Sequence, residues 1–246
     1  MIYVGSKNRI SKELKPIIES YLTDETVAYI EPFVGGANMI DKIDFHTKIG
    51  SDIHEELIEL LNWMKYDVDS IPKTFTEEQY LDVKFNRDKY SKREVGLYGF
   101  CGAYGASFMT GFAKSNDSKG NPRDMPSERI RNIKKQSKHI QDISFDCKSY
   151  LEYNCKTYKN CVFYIDAPYK NTFGYDKDGK NTFNHDELYN WCIDMSKHNT
   201  VLISEYDMPE YLFECIWSKE VKVNAKNTEN GRLKKVEKLF KVRSDK

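Results

Sequence analysis

Apolar residues recur at helical spacing across residues 6–21, where Ile10, Leu14, Ile17, Ile18 and Tyr21 share one face and predict an amphipathic helix. The period then changes. Residues 27–30 form a short apolar run leading into Glu31-Pro32-Phe33-Val34-Gly35-Gly36, a buried strand entering a glycine turn, with a helix expected from Ala37. Residues 47–64, TKIGSDIHEELIELLNWM, give a second strand, turn and helix: Asp52 closes the strand, and Leu57, Leu60, Leu61 and Met64 line one helical face. Further helix is expected over residues 76–90 and 92–101.

The rhythm breaks at residues 102–127, GAYGASFMTGFAKSNDSKGNPRDMPS, which are rich in Gly, Ser, Asn and Pro with interleaved aromatics. A basic helix follows in SERIRNIKKQSKHI. The pattern then resumes with DISFDC and CVFYIDAPY as strands, HDELYNWCIDMSKH as a helix and TVLISEY as a strand. Residues 221–242 read as a β-hairpin turning at Asn230-Gly231. No repeat of 20 to 50 residues interrupts this order. Alternating strands and helices define an α/β sheet of the doubly wound kind, interrupted once.

At 246 residues the chain accommodates one catalytic domain with a smaller insert. No apolar run approaches the roughly 18 residues of a membrane span, and residues 1–16 lack the apolar core of a secretory signal, so a cytoplasmic protein without a membrane role is expected. Six cysteines at irregular spacing, with no CxxC pair or nearby histidine cluster, argue against zinc and disulfides and predict reduced, mostly buried thiols. No metal is expected. The charge balance, 38 basic against 38 acidic residues, does not by itself announce a nucleic-acid partner. Its distribution is more telling. Residues 114–138 carry eight basic and three acidic side chains, a net of +5, and residues 219–246 carry ten and four, a net of +6.

In an open α/β sheet, ligands lie beyond the carboxyl ends of the strands, which selects the residues after VAYI, KIGS, VFYI and VLIS. Gly35 and Gly36 would let a ligand approach the backbone, with amide donors from the next helix, although a plain tight turn has the same look. Asp52 could accept both hydroxyls of a ribose or simply cap its helix. Asp166-Ala167-Pro168-Tyr169 is the sharper signal: a carboxylate, a rigid proline and an aromatic ring suit a flat base bearing an amine. A capping Asp in a Pro-containing loop is the plainer account. Three such positions in this order strengthen one another.

These motifs resemble the Dam-type (alpha-group) adenine-specific DNA N6-methyltransferases over nearly the whole chain. YVGSKNRI resembles the family's amino-terminal cofactor motif with its lysine at Lys7, and EPFVGG resembles FxGxG at Phe33, Gly35 and Gly36. Asp52 matches the ribose-binding acid, SFDCKSY the strand beside the cofactor adenine, DAPY the family's DPPY, and NGRLKKVEKLF the carboxy-terminal hairpin with its basic tip. One position departs: Ala167 stands where the family has its first motif proline, which implies a looser loop.

The resemblance implies a Rossmann-like S-adenosylmethionine-dependent methyltransferase sheet with helices on both faces and a small inserted target-recognition subdomain. Residues 1–85 and 140–246 would form the catalytic domain and residues 86–139 the insert. Asp166, Pro168 and Tyr169 would be catalytic; Tyr3, Lys7, Glu31, Phe33, Gly35, Gly36, Asp52, Phe145 and Asp166 would serve the cofactor. Tyr104, Phe108, Lys114, Asn121 and Arg123 would enter a groove of double-stranded DNA, with Arg129, Arg131, Lys134, Lys135, Arg232, Lys234 and Lys235 meeting phosphates. A solvated basic helix is the plainer reading of Arg129, Arg131, Lys134 and Lys135. The expected enzyme is a monomer acting on a flipped-out adenine.

A nicotinamide dehydrogenase would show GxGxxG, and GGANMI lacks the third glycine. Relatives that act on cytosine or glutamine amines usually carry Ser or Asn where Asp166 stands. A cytosine-ring methyltransferase needs a cysteine after proline, and no Pro-Cys pair occurs. The remaining alternative, suggested by Ala167 and the neutral charge, is a DNA-binding protein that keeps the fold without the activity.

Overall fold

The computed structural model describes residues 1–170, 183–224 and 232–243; the side chains of Ala106, of residues 222–224 and of Arg232 and Leu233 lie outside that description. Among the described residues the strands are β1 Ala28–Glu31, β2 Lys48–Asp52, β3 Ile143–Cys147, β4 Cys161–Ile165, β5 Thr200–Glu205, β6 Phe213–Asn224 and β7 Arg232–Val242. The α-helices are α1 Ser11–Glu19, α2 Glu55–Tyr66, α3 Glu77–Phe85, α4 Lys92–Cys101, α5 Met125–Gln136 and α6 His185–Ser196. They divide between two compact units, Met1–Glu19 with Val34–Tyr150, and Ser20–Phe33 with Leu151–Lys246.

In the first unit, β2 and β3 pair in parallel, with Gly50 opposite Phe145 and Asp52 opposite Cys147. Helix α2 buries Leu57, Leu60, Leu61 and Met64, the face its periodicity predicts. It packs on α4, where Gly96 lies so close to the Glu56 carbonyl that no β-carbon fits. Capping boxes start α3 (Thr76 with Gln79) and α4 (Ser91 with Glu94), and Asp124 caps α5. These caps satisfy orphan amides that would otherwise face water. Residues 102–124 are irregular apart from short turns and two isolated bridges, as their Gly and Pro content predicts.

In the second unit, β1, β4 and β5 run parallel, β7 pairs antiparallel with β5, and β6 pairs antiparallel with β7. Strand β4 is buried along its whole length and β1 likewise, as expected for strands covered on both faces. The hairpin forms over Phe213–Asn224 and Arg232–Val242, longer than predicted, while its expected turn at Asn230-Gly231 lies outside the described residues.

Two expectations need correction. No α-helix follows the glycine turn: Ala37 takes φ +54°, and only a 3-10 turn at Ile40–Lys42 forms. A left-handed residue cannot propagate a right-handed helix. The carbonyls of Gly36 and Ala37 instead accept from the Gln136 amide on α5, at 3.0 and 3.1 Å, so a tertiary contact replaces the helical ladder and no helix terminus offers amides there. The cysteines, all six free, are only half buried: Cys101, Cys161 and Cys192 are, whereas Cys147 and Cys215 are exposed and Cys155 is intermediate.

Candidate active site

In the first unit, Asp52 at the end of β2 reaches back to the glycine turn 17 residues earlier. Its carboxylate accepts the Gly35 amide at 3.2 Å through Oδ2 and the His54 amide at 3.1 Å through Oδ1. Burial pushes its carboxyl above the usual range, although these two amides oppose the shift. Gly35 has φ +47°, and a β-carbon on it would lie 2.8 Å from the Tyr3 ring; one on Gly36 would lie 2.7 Å from the Asn38 side-chain nitrogen. The two glycines are therefore what allow Tyr3 to lie over the turn. Lys7 is buried at 6% exposure, and its ammonium donates to the Gly5 carbonyl at 3.3 Å.

Phe145, buried on β3, packs against Gly50 across the strand pair; a β-carbon there would stand 3.1 Å from the ring. Tyr3, Gly35, Gly36 and Asp52 thus converge, with Phe145 on the neighbouring strand. Sequence reasoning passed over His54. Its ring packs edge-on against Phe108 at 4.4 Å and near Phe100 at 5.3 Å, and burial lowers its pKa even though Glu56 and Asp52 pull the other way.

In the second unit, β4 delivers Asp166-Ala167-Pro168-Tyr169 at its carboxyl end. The Tyr169 hydroxyl donates to Glu237 Oε2 of β7 at 2.8 Å, and its ring meets Tyr206 edge-on at 4.6 Å. Burial, with Asp166 and Glu237 nearby, raises the phenol's pKa well above its ordinary value. Tyr29 donates to Glu31 at 2.7 Å, and Tyr164 shares a hydrogen bond with Ser204 at 2.8 Å. Both phenols are shifted upward by burial, with Glu31 and Asp166 adding to the shift. Phe33 meets Phe183 edge-on at 5.8 Å. Glu31 and Phe33 therefore belong to the unit that carries Asp166.

The residues expected to meet DNA separate into two sets. Tyr104 is exposed, as are Arg131 and Lys135 on α5. Lys114 pairs with Glu77 at 2.7 Å, Arg123 is held by Glu128, and Lys234 pairs with Glu220 at 2.9 Å, all at the surface. Asn121 donates to Asp117 at 3.2 Å. The Arg232 side chain lies outside the described residues. Other expectations give way. Arg129 is buried, and its guanidinium donates to the carbonyls of Cys101 (3.2 Å) and Ala103 (2.6 Å), which makes it a strut under the irregular segment rather than a phosphate contact. The Lys134 ammonium donates to the Ile71 carbonyl at 2.6 Å. Phe108 stacks into the Phe100 and His54 cluster rather than projecting outward. Lys235 lies over the Tyr206 ring at 4.1 Å.

Among the described residues no group of three or more His, Cys, Asp or Glu side chains is placed to hold a metal, and no helix is long and apolar enough to cross a membrane. Each unit thus carries a candidate site at a strand's carboxyl end, an acid tied to a glycine turn in the first and Asp-Ala-Pro-Tyr in the second, where α/β enzymes hold their ligands. The family model of D12 class N6 adenine-specific DNA methyltransferases matches residues 3–230. The chain belongs to that family, and with it to the adenine-specific DNA methyltransferases of Rossmann-like fold.

It is similar to the type II methyltransferase M.MjaIII of Methanocaldococcus jannaschii, with 25% identity over 218 residues, 75% of this chain and 74% of that protein. It is also similar to the type II methyltransferase M.FokI of Planomicrobium okeanokoites, with 23% identity over 206 residues, 74% of this chain and 30% of that longer protein.

Proposed function

We propose that this methyltransferase uses S-adenosylmethionine and modifies the N6 amine of an adenine flipped out of duplex DNA. The observation that carries the reading is Asp166-Ala167-Pro168-Tyr169 at the end of a buried parallel strand, with the tyrosine ring anchored at its hydroxyl. The Asp52 carboxylate supports the choice of donor. Each of its oxygens accepts one backbone amide, which leaves lone pairs for two ribose hydroxyls. Tyr3, Lys7, Gly35 and Gly36 would lie at the methionine end, and Phe145 beside the adenine.

The exocyclic nitrogen of adenine is a poor nucleophile because its lone pair is delocalised into the ring. Asp166, with the backbone carbonyl of Ala167 or Pro168, would accept the two amine hydrogens and localise the lone pair at nitrogen. S-adenosylmethionine, when bound, would supply a methyl group on a positively charged sulfur, and Asp166 would accept the surplus amine proton as the nitrogen exchanges it for that methyl group. Tyr169 would stack on the base. Extrusion of that base costs a few kcal/mol, which contacts in the pocket must offset.

For DNA, residues 86–139 would form the recognition insert. Tyr104, Lys114, Asn121 and Arg123 would face a groove, and Arg131, Lys135, Arg232 and Lys234 the phosphates. The surface partners Glu77, Glu128 and Glu220 would give way to phosphate at small cost, since exposed ion pairs are worth about 0–1 kcal/mol. Incubation with labelled S-adenosylmethionine and unmethylated genomic DNA, followed by nucleoside mass spectrometry and base-resolved mapping, tests the reading. N6-methyladenine in one sequence context is expected; DNA and cofactor binding without product would refute it.

A further inference from the structure

The loop that carries Asp166 lacks the family's first proline, yet side chains hold it from two other strands. Glu205, buried at the end of β5, accepts the Lys170 amide at 3.0 Å through one oxygen and its neighbour's amide, that of Tyr206, at 2.7 Å through the other. The loop's trailing end is thereby joined to the end of β5. On β7, Glu237 receives the Tyr169 hydroxyl at 2.8 Å. Lys235 and Glu237 are two residues apart on a strand and so share a face. Lys235 covers the Tyr206 ring at 4.1 Å, and Tyr206 in turn meets the Tyr169 ring edge-on, at an interplanar angle of 88°. Tyr169 is thus fixed at its hydroxyl and by a perpendicular ring contact, and it is only 8% exposed.

We infer that Glu237 and Glu205 are positioning residues that clamp the Asp166–Tyr169 loop from β7 and β5, supplying by hydrogen bonds the rigidity a proline at position 167 would give. The inference rests on the proposed role of Asp166 and Tyr169. A ring that must stack on an extruded base gains from having its rotation stopped beforehand, and a phenol donating to a carboxylate makes a strong, oriented bond. Glu237 itself touches neither the base nor the cofactor in this scheme, so it acts only through Tyr169.

Steady-state and single-turnover transfer by the full chain, with DNA carrying the mapped site, tests the clamp. Glu237→Ala is expected to lower kcat on the order of tenfold or more, while S-adenosylmethionine affinity changes by less than twofold. Glu237→Gln, whose amide oxygen still accepts from the phenol, restores kcat to within threefold. Tyr169→Phe, which deletes the hydroxyl, leaves the double variant with Glu237→Ala no slower than the slower single. Glu205→Gln keeps the shape but can accept only one of the two amides, and it lowers kcat in the same sense.

Unchanged kcat in Glu237→Ala, no rescue by Gln, or multiplied losses in the double variant would overturn the role of Glu237; full activity in Glu205→Gln would remove Glu205. A readout independent of catalysis separates failure of the clamp from failure of the proposed reaction. In protein labelled with 3-fluorotyrosine, the fluorine resonance of residue 169, assigned by its loss in Tyr169→Phe, shifts in Glu237→Ala. A resonance that stays in place refutes the clamp even if wild-type protein makes no N6-methyladenine.

Discussion

Replacing Asp52 by Asn separates the cofactor reading from a structural one, because the first predicts a loss of ligand affinity and the second a loss of stability. The carboxylate holds the amides of Gly35 and His54 at 3.2 and 3.1 Å. Asparagine is nearly isosteric, but its amide offers one acceptor where the carboxylate offers two. One backbone bond is lost, costing about 1 kcal/mol. Against that, burial raises the Asp52 pKa, so the ionised group opposes folding at neutral pH, and a neutral side chain removes that penalty. The two effects oppose each other, and the melting temperature of the free protein should fall by no more than roughly 4 °C, since 1 kcal/mol corresponds to about 2–4 °C at this size.

Ligand binding has no such compensation. Hydrogen bonds from a ribose to a carboxylate are worth about 1.5–3 kcal/mol, a loss of roughly 10- to 150-fold in affinity for S-adenosylmethionine. Calorimetric titration and thermal melting of the same samples measure both quantities. Affinity within threefold of wild type, or a melting temperature lowered by roughly 10 °C or more, would refute the assignment and leave Asp52 as a strut for the glycine turn.

Four further outcomes follow from the same geometry. Because its pKa is raised, Asp52 gains its proton at a higher pH than an exposed aspartate; S-adenosylmethionine affinity therefore falls as pH drops through that shifted value while the group's cost to folding is relieved, and Asp52→Asn flattens the affinity profile. Asp166→Ala abolishes methyl transfer while gel-shift affinity for DNA stays within threefold; measurable turnover would refute the mechanism. Arg129→Ala leaves two buried carbonyls without their donor and destabilises by about 2–3 kcal/mol in denaturant unfolding without altering the salt dependence of DNA binding, whereas Arg131→Ala lowers the salt slope by about one and leaves stability unchanged. Arg123→Ala relaxes sequence preference in the methylation map, because freeing Glu128 costs little in an exposed pair.

Much of the frame was legible because strands buried on both faces read as near-continuous apolar runs, as AYI, VFYI and VLIS do. The carboxyl ends of KIGS and VFYI then point to Asp52 and Asp166. The helix expected after Gly36 failed for a reason periodicity cannot express: Ala37 turns left-handed, and Gln136, 99 residues further on, supplies the donor for its carbonyl. The basic segment around α5 was legible only as a sum of charge. Which arginine faces solvent depends on helical phase against a neighbour, and that phase puts Arg129 beneath the irregular segment and Arg131 outside it.

Glu205 and Glu237 show where such reading runs out. The position after VLIS was marked by the same strand-end rule that selected Asp52 and Asp166, yet a glutamate there carries no motif, so nothing in the sequence distinguished it from a solvated end. Glu237 was harder still, being one charge in the alternating LKKVEKLF of a hairpin, where acid and base at successive positions read as an exposed face. Its role depends on strand β7 pairing antiparallel with β5, which places its side chain within reach of Tyr169, 68 residues earlier. A motif reports the residues that touch ligand because their chemistry is constrained one position at a time. The residues that hold a motif loop still are constrained only in pairs, and those pairs become visible when the fold closes them.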